Sequence, residues 1–310
     1  MAMAMRVAVL TSEGFRLEER PVPDPGTGQV LVCTQACGVC EGDVVHYQAR
    51  GAGEVVMGHE GTGEIVALGQ GVTGLAEGQV VTALGGAYAE FFAVGAEQVL
   101  PVPAGMAAED ALGEPIACCI HAADRFGIRA GERVAVIGCG FMGLTCLQLA
   151  RLQGAAQITA YEPISWRREM ALRLGADEAL PPPQRPSRPP NDGAYDVVIE
   201  ATGAAPAVDL AGDLVRQHGR VVLVGYHQTG EGLRTLNMKQ WNFKAIDVVM
   251  GHIRRRDWKL EAMRRGLELA ATGRLEIAPL VQPYPLADVA QAFTDLVERK
   301  EGLYKVVLVP

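Results

Sequence analysis

Val134-Ala135-Val136-Ile137-Gly138-Cys139-Gly140-Phe141-Met142-Gly143 is the stretch that decides the fold. Its four apolar residues predict a buried strand, and the glycine-rich turn after them predicts the start of a helix. Gly138 permits a sharp turn, Gly140 lets the backbone approach a pyrophosphate, and Gly143 allows close contact between helix and strand. The phosphates would lie at the helix N-terminus. The residues expected to bind a dinucleotide here are Gly138, Gly140, Phe141, Met142 and Gly143.

An acidic residue lies at a suitable distance from this turn. Glu162 ends the apolar stretch Ile158-Thr159-Ala160-Tyr161, 22 residues after Gly140. A carboxylate at this place binds the adenosine ribose hydroxyls and repels an added 2′-phosphate, which favours NAD over NADP. Arg167 and Arg168 leave NADP open, since a nearby guanidinium accepts a phosphate. Charge on a helix surface is the simpler interpretation of these two arginines.

Strands and helices alternate on both sides of the turn. Further apolar strands are predicted at Val197–Ile199 and Val221–Val224, which favours a parallel sheet covered by helices. The proline-rich segment 181–190 predicts an extended loop inside this domain. Short apolar runs broken by Gly and Pro from Arg6 to about Pro115 predict a β-rich, barrel-like domain. An amphipathic helix around Trp258–Ala271 and a last strand at Tyr304–Val309 follow.

Composition excludes several classes of function. The 310 residues carry a net charge of -8 and no long basic run, which argues against nucleic-acid binding. No apolar segment is long enough to cross a membrane, and the start lacks a signal peptide. Seven cysteines are an odd number, so reduced thiols or metal ligands are expected rather than a disulfide framework. These features favour a soluble cytoplasmic protein.

A second constellation suits a metal ion. Cys40 closes the motif Cys37-Gly38-Val39-Cys40, and His59 and Glu60 follow nineteen and twenty residues later. Catalytic zinc takes three protein ligands and leaves one position open, so Cys40, His59 and either Glu60 or Glu114 form a suitable set. Asp43 would accept a hydrogen bond from the second ring nitrogen of His59.

Other interpretations of the cysteines are weaker. Cys37 and Cys40 could form half of a structural zinc site or a redox dithiol, but no second cysteine pair follows. Cys33 completes a spacing that some iron–sulfur proteins use, yet it sits in an apolar strand and is expected to pack there.

Five motifs together resemble the zinc-dependent medium-chain dehydrogenase/reductase family, in its sorbitol and threonine dehydrogenase branch. They are Cys37–Cys40, Gly58-His59-Glu60-Gly61-Thr62-Gly63, Gly86-Ala87-Tyr88-Ala89-Glu90-Phe91, Glu114-Pro115 followed by His121-Ala122, and Gly138–Gly143. The resemblance spans nearly the whole chain. It implies an α/β protein with a GroES-like domain at residues 1–116 and 249–310 and a Rossmann NAD-binding domain, a doubly wound parallel sheet, at residues 117–248.

The resemblance also implies roles for individual residues. Cys40, His59 and Glu114 correspond to the catalytic zinc ligands, with Glu60 as an alternating ligand and Asp43 as the partner of His59. Lys305 is similar to a basic residue that reaches the cofactor pyrophosphate.

Two departures from the family pattern carry expectations of their own. The chain passes almost directly from Val80–Thr82 to Gly86–Tyr88, where many relatives carry a four-cysteine lobe, so we expect one catalytic zinc and no structural zinc. Gly42 occupies the position of a serine or threonine that takes the substrate proton in relatives. His46 or Glu41 would replace that hydroxyl through water.

The resulting hypothesis is a zinc- and NAD-dependent oxidoreductase that moves a hydride between NAD and a secondary alcohol or ketone. A polyol, cyclitol or sugar-like substrate is favoured. The alternatives are a reductase of a bulky biosynthetic intermediate such as a tetrapyrrole, and a nucleotide-sensing protein without catalysis. A homodimer or homotetramer is expected from the family, with no nucleic-acid or membrane partner.

Overall fold

Two structural units make up the chain in the computed structural model, which describes residues 3–51, 53–183, 193–228 and 230–310. One unit combines Met1–Ala117 with Lys259–Pro310, and the other is Cys118–Trp258. The strands are β1 (Ala4–Thr11), β2 (Gly14–Pro21), β3 (Gln29–Gly38), β4 (Val55–Val56), β5 (Glu60–Leu68), β6 (Val80–Ala83), β7 (Phe91–Gly95), β8 (Val99–Pro101), β9 (Arg133–Ile137), β10 (Gln157–Tyr161), β11 (Glu178–Leu180), β12 (Tyr195–Glu200), β13 (Val215–Leu223), β14 (Asp247–Met250), β15 (Val281–Pro285) and β16 (Lys305–Val309). The helices are α1 (Glu41–Ala49), α2 (Gly113–Asp124), α3 (Phe141–Leu152), α4 (Ser165–Arg173), α5 (Ala205–Leu214), α6 (Met238–Lys244), α7 (Arg256–Ala271) and α8 (Val289–Val297).

The first unit is built mainly from β-strands. Its larger sheet has the order β15-β16-β3-β5-β6-β8, with β7 also paired to β3, and a smaller sheet has the order β2-β1-β4. Val30, Val32 and Ile65 are fully buried and pack in one apolar core of this unit. The last strand, β16, pairs antiparallel with β3 through Leu308 and Cys37. The predicted terminal strand therefore joins the sheet that leads to Cys40.

The second unit contains a six-stranded sheet of order β11-β10-β9-β12-β13-β14, and every neighbouring pair is parallel. This is the strand order of a Rossmann sheet, in which a ligand binds where the order reverses, between β9 and β12. Val134, Ala135 and Val136 in β9 have no exposed surface, as a central parallel strand requires. The parallel sheet expected from the alternating pattern is confirmed.

Several boundaries differ from the sequence expectations. The short strands β11 and β14 were not predicted, because three or four residues give too little periodicity. The second unit ends at Trp258, inside α7, whereas the sequence placed the boundary at residue 249. Residues 181–183 have no regular structure, and the rest of the proline-rich segment lies outside the described residues. Within the described parts of the chain, no helix is long and apolar enough to cross a membrane.

Candidate active site

The end of β3 separates the two cysteines of the Cys37–Cys40 motif. Cys37 is 1% exposed and packs in an apolar core, and burial raises the pKa of its thiol far above the usual value. Cys40 lies two residues after the strand, immediately before α1, and is partly exposed. The backbone therefore turns Cys40 out of the core, while Cys37 remains a packing residue.

A tight turn places His59 and Glu60 beside Cys40. Gly58 precedes them with φ +109°, a conformation that favours glycine, and a Cβ there would lie 2.9 Å from the Tyr88 backbone nitrogen. The side chains of Cys40, His59 and Glu60 offer ligand atoms that all lie within 4.8 Å of one another. Among the residues that the structure describes, these three form the group of His, Cys, Asp or Glu side chains whose spacing could hold a metal ion.

The chemistry of the three donors fits zinc. A thiolate, an imidazole and a carboxylate are the ligand types of catalytic zinc sites, and three protein ligands leave a position for substrate. Burial raises the pKa of Cys40 to about 11, with the charge of Glu60 adding to the shift. Cys40 is therefore a thiol at neutral pH before metal binds, and a metal ion must displace its proton.

Glu60 carries a partner that the sequence did not indicate. The Lys305 ammonium lies 2.6 Å from Glu60 Oε2 and 2.9 Å from Oε1, and both side chains are almost fully buried. Burial alone would lower the pKa of Lys305, but the Glu60 carboxylate outweighs it and raises that pKa. Lys305 thus balances the charge of a candidate ligand, while its predicted contact with a cofactor pyrophosphate stays a prediction.

Glu114, the other candidate for the third ligand, lies outside this group. It is in the first turn of α2, and its Oε1 accepts a hydrogen bond of 2.6 Å from the Lys259 ammonium. Glu60 is consequently the carboxylate that the fold places with Cys40 and His59.

Asp43 is held by more than one donor. Its Oδ2 accepts hydrogen bonds from the Tyr88 hydroxyl at 2.6 Å and from the Cys40 backbone N–H at 3.3 Å. The distance from the same oxygen to His59 Nδ1 is 3.7 Å, within ion-pair range but too long for a hydrogen bond. Asp43 does lie next to His59, as predicted, but its shortest contact is with Tyr88, which sequence reasoning missed.

The proposed substitutes for the missing hydroxyl lie on α1. Glu41 and His46 are exposed there. A Cβ added at Gly42 would have only the Cys40 sulfur within 4 Å, at 3.7 Å. The absence of a side chain at Gly42 therefore leaves free space beside the candidate ligand.

The glycine-rich turn in the second unit has the geometry that its spacing implied. Gly138 has φ +94°, and a Cβ at Gly143 would lie 1.9 Å from the Gly138 carbonyl oxygen, so only glycine fits. A Cβ at Gly140 would meet nothing within 4 Å, which leaves that backbone open to a ligand. Phe141 and Met142 begin α3, with Phe141 buried and Met142 partly exposed.

Glu162 connects the end of β10 to this turn. It is 4% exposed, and its Oε2 accepts a hydrogen bond of 2.8 Å from the Cys139 backbone N–H. Its Oε1 accepts one of 3.1 Å from the Ile164 N–H. An ionised carboxylate accepts about four hydrogen bonds, so Glu162 retains capacity for ribose hydroxyls.

The two arginines near Glu162 have structural contacts. The Arg168 guanidinium donates to the carbonyl oxygens of Glu162 and Pro163, at 2.8 Å each. The Arg167 guanidinium lies over the Trp166 ring, 5.0 Å from its centroid. These contacts agree with the simpler interpretation of the arginines as helix residues.

A carboxylate at the end of β12 was also missed. Glu200 is fully buried, and its Oε1 accepts hydrogen bonds from the Thr202 and Gly203 backbone N–H groups at 2.7 and 2.9 Å. Its Oε2 lies 3.1 Å from His227 Nε2. The available signal was an acid that ends an apolar strand, as Glu162 does. His227 gave no such signal because its partner is 27 residues away in sequence.

Comparison with known proteins places these features in a family. Residues 26–104 match the model of the alcohol dehydrogenase GroES-like domain, and residues 142–269 match that of zinc-binding dehydrogenases. The first match contains the candidate metal ligands Cys40, His59 and Glu60. The second begins at Met142 in the first turn of α3, directly after the glycine-rich turn.

Individual relatives agree. A sorbitol dehydrogenase of Halalkalibacterium halodurans is 32% identical over 78% of this chain and 81% of its own length. An L-threonine 3-dehydrogenase of Bacillus licheniformis is 26% identical over 96% of both chains. A solved structure from Sinorhizobium meliloti, described as a zinc-binding dehydrogenase bound to NADP, has a TM-score of 0.86 at 26% identity and covers 99% of this chain and 100% of its own. The protein therefore belongs to the zinc-dependent medium-chain dehydrogenase/reductase family, NAD(P)-dependent enzymes acting on CH–OH groups, in its sorbitol and threonine dehydrogenase branch.

Proposed function

We propose that this enzyme uses one zinc ion and NAD to interconvert a secondary alcohol and its ketone, with a polyol, cyclitol or sugar-like compound as substrate. The observation that carries the proposal is the convergence of Cys40, His59 and Glu60 within 4.8 Å. The names of the sorbitol and threonine dehydrogenases among its relatives support the substrate class.

Cys40, His59 and Glu60 would hold the zinc. When bound, zinc supplies a Lewis acid for the substrate oxygen. The chain itself contributes a charge-balanced environment, because the buried Lys305 offsets the buried Glu60 carboxylate and Asp43 lies beside the partly exposed His59. Free space at Gly42 admits a substrate carbon next to the Cys40 sulfur. The substrate proton would leave through water to His46 or Glu41, which are both exposed on α1.

The glycine-rich turn and Glu162 would bind the cofactor. NAD, when bound, takes up the hydride from the carbinol carbon. Gly140 exposes backbone to the pyrophosphate, and Glu162 accepts the ribose hydroxyls. NAD is favoured over NADP because the Glu162 carboxylate, at the end of β10, is hydrogen-bonded to this turn and the Arg168 guanidinium donates to backbone carbonyls.

Self-association and a cytoplasmic location complete the proposal. Val248 and Met250 lie on one face of the edge strand β14 and are 46% and 49% exposed, although strands of parallel sheets are normally covered. A second copy covering this edge would give the dimer expected for the family. All seven cysteines are free thiols, which agrees with a reducing compartment.

The test combines metal content with turnover. Purified protein is analysed for zinc per chain and for NADH formation from NAD with polyols, cyclitols and simple secondary alcohols. We expect about one zinc per chain and NAD-linked turnover with at least one polyol or sugar-like alcohol. Cys40→Ser should abolish both, whereas Cys33→Ser, at a partly buried cysteine of β3 outside the group, should retain both. Full turnover in metal-free protein would refute the proposal.

A further inference from the structure

Tyr88 touches both segments that carry the candidate zinc ligands. Its backbone N–H donates to the Met57 carbonyl at 2.8 Å, just before the turn that presents His59. Its carbonyl accepts a hydrogen bond of 2.8 Å from Ala8 in β1. The close approach of Gly58 to the Tyr88 backbone leaves no space for a side chain there. The turn carrying His59 is therefore fixed against Tyr88.

The Tyr88 hydroxyl reaches the other segment. The side chain has no exposed surface and packs among apolar residues, including Val44 and Phe293. Its hydroxyl donates to Asp43 Oδ2 at 2.6 Å, and Asp43 lies in the first turn of α1, three residues after Cys40. A buried hydroxyl in apolar surroundings needs such a partner, because an unpaired one is costly.

A single carboxylate oxygen is shared by three groups. Oδ2 of Asp43 accepts from Tyr88 at 2.6 Å, accepts from the Cys40 N–H at 3.3 Å, and lies 3.7 Å from His59 Nδ1. The Tyr88 contact is the shortest, so the phenol sets where this oxygen lies. Burial raises the pKa of Tyr88 well above its usual value and the Asp43 charge adds to this, so the phenol keeps its proton at working pH.

We propose that Tyr88 is a positioning residue of the metal centre, whose hydroxyl holds the Asp43 carboxylate where it orients His59 and fixes the start of α1 at Cys40. The proposal rests on the zinc site proposed above and adds a residue to it. Groups behind metal ligands typically contribute 10- to 100-fold in metal affinity. Tyr88 acts through Asp43 and does not itself contact the metal.

The first test is Tyr88→Phe, which keeps the ring and removes only the hydroxyl. Zinc affinity is measured by competition with a chromogenic chelator, and the visible spectrum of the cobalt(II)-loaded protein reports the geometry at Cys40. We expect zinc binding to weaken about 10- to 100-fold and the cobalt bands to shift. Tyr195→Phe is the matched control, since Tyr195 is also fully buried and bonds another hydroxyl, that of Tyr161, in the second unit. Its zinc affinity should equal that of the wild type.

The second test is a double-mutant cycle with Asp43→Asn. Because Tyr88 acts through Asp43, Tyr88→Phe should weaken zinc binding far less in the Asp43→Asn background than alone. Fully additive effects, or an unchanged zinc affinity in Tyr88→Phe, would overturn the proposal. If Tyr88→Phe does not fold, unchanged zinc affinity in Asp43→Asn overturns it, and a tenfold or larger loss supports it. A wild type that binds no zinc would instead refute the zinc site itself.

Discussion

Removing the Lys305 ammonium should destabilise the zinc-free protein strongly. The ammonium lies 2.6 Å from Glu60 Oε2, and the two side chains are only 7% and 1% exposed. At an effective dielectric constant of about 20, two charges at this separation attract by about 6 kcal/mol. In Lys305→Met the buried carboxylate loses that attraction, but it limits the penalty by taking up a proton. Breaking a buried pair from one side costs about 3–5 kcal/mol, which is our expectation.

The pH dependence follows from the same carboxylate. Burial already raises the pKa of Glu60 in the wild type, and in Lys305→Met this pKa rises further above its unfolded value because the attraction of the ammonium is lost. The folded variant then binds more protons than the unfolded chain, so its stability falls as pH rises toward that folded pKa. The difference from the wild type should be larger at pH 8 than at pH 5.5. In the wild type the pKa of Lys305 is raised, so Lys305 stays protonated from pH 5.5 to 8 and its contribution to the free energy of unfolding does not change with pH.

The loss of unfolding free energy in Lys305→Met is measured by urea unfolding of EDTA-treated protein, followed by far-ultraviolet circular dichroism. Hydrogen exchange of amides in β3, β5 and β16 locates it in the first unit. Arg6→Met is the control, because the Arg6–Glu90 pair has a similar contact distance of 2.8 Å but is 48% and 26% exposed. It should cost no more than about 1 kcal/mol. Equal losses of unfolding free energy in Lys305→Met and Arg6→Met would refute the reasoning. The double variant Lys305→Met/Glu60→Gln should recover part of the stability lost in Lys305→Met.

Three further predictions concern the metal and the cofactor. Glu60→Gln should weaken zinc binding at least tenfold, and Glu114→Gln, which removes the negative charge paired with Lys259, should weaken it much less. The reverse order in a chelator competition would contradict the ligand assignment. Because burial raises the pKa of Cys40 to about 11, zinc binding releases its proton, and the apparent zinc Kd should fall about tenfold per unit between pH 7 and 9. A pH-independent Kd would mean that Cys40 is not a ligand. Glu162→Gln should reduce the preference for NAD, measured as kcat/KM with NAD divided by kcat/KM with NADP, at least fivefold, because the charge that repels a 2′-phosphate is lost. An unchanged ratio would mean that other residues select the cofactor.

Local patterns predicted much of the molecule. The strand and glycine-rich turn were predictable because their roles depend on neighbours within ten residues, and the structure gives Gly138 a positive φ and Gly143 a close backbone contact. The grouping of Cys40 with His59 and one glutamate was predictable because zinc restricts the ligand types. Which glutamate joins them was not, since the choice depends on a strand pairing that no spacing reveals.

Contacts between distant segments were not predictable. Lys305 and Glu60 are 245 residues apart, and Tyr88 and Asp43 are 45 apart. Lys305 and Glu60 meet because β16 and β5 both pair with β3, and Tyr88 meets Asp43 because the fold brings the segment between β6 and β7 against α1. Lysine or tyrosine in an apolar stretch has many possible partners. The boundary near Trp258 was displaced because α7 continues through it, so composition does not change there.

The position of β16 has a consequence for how the protein is made. The segment Cys118–Trp258 forms its unit from contiguous chain, so it can fold while synthesis continues. The first unit must wait, because β3 lacks its neighbour β16, and Glu60 its counter-ion, until the ribosome has passed residue 309. During that interval the sheet that positions Cys40 and Glu60 is incomplete. Metal loading is therefore expected to follow translation of the last strand, and not to assist the folding of the nascent amino-terminal segment.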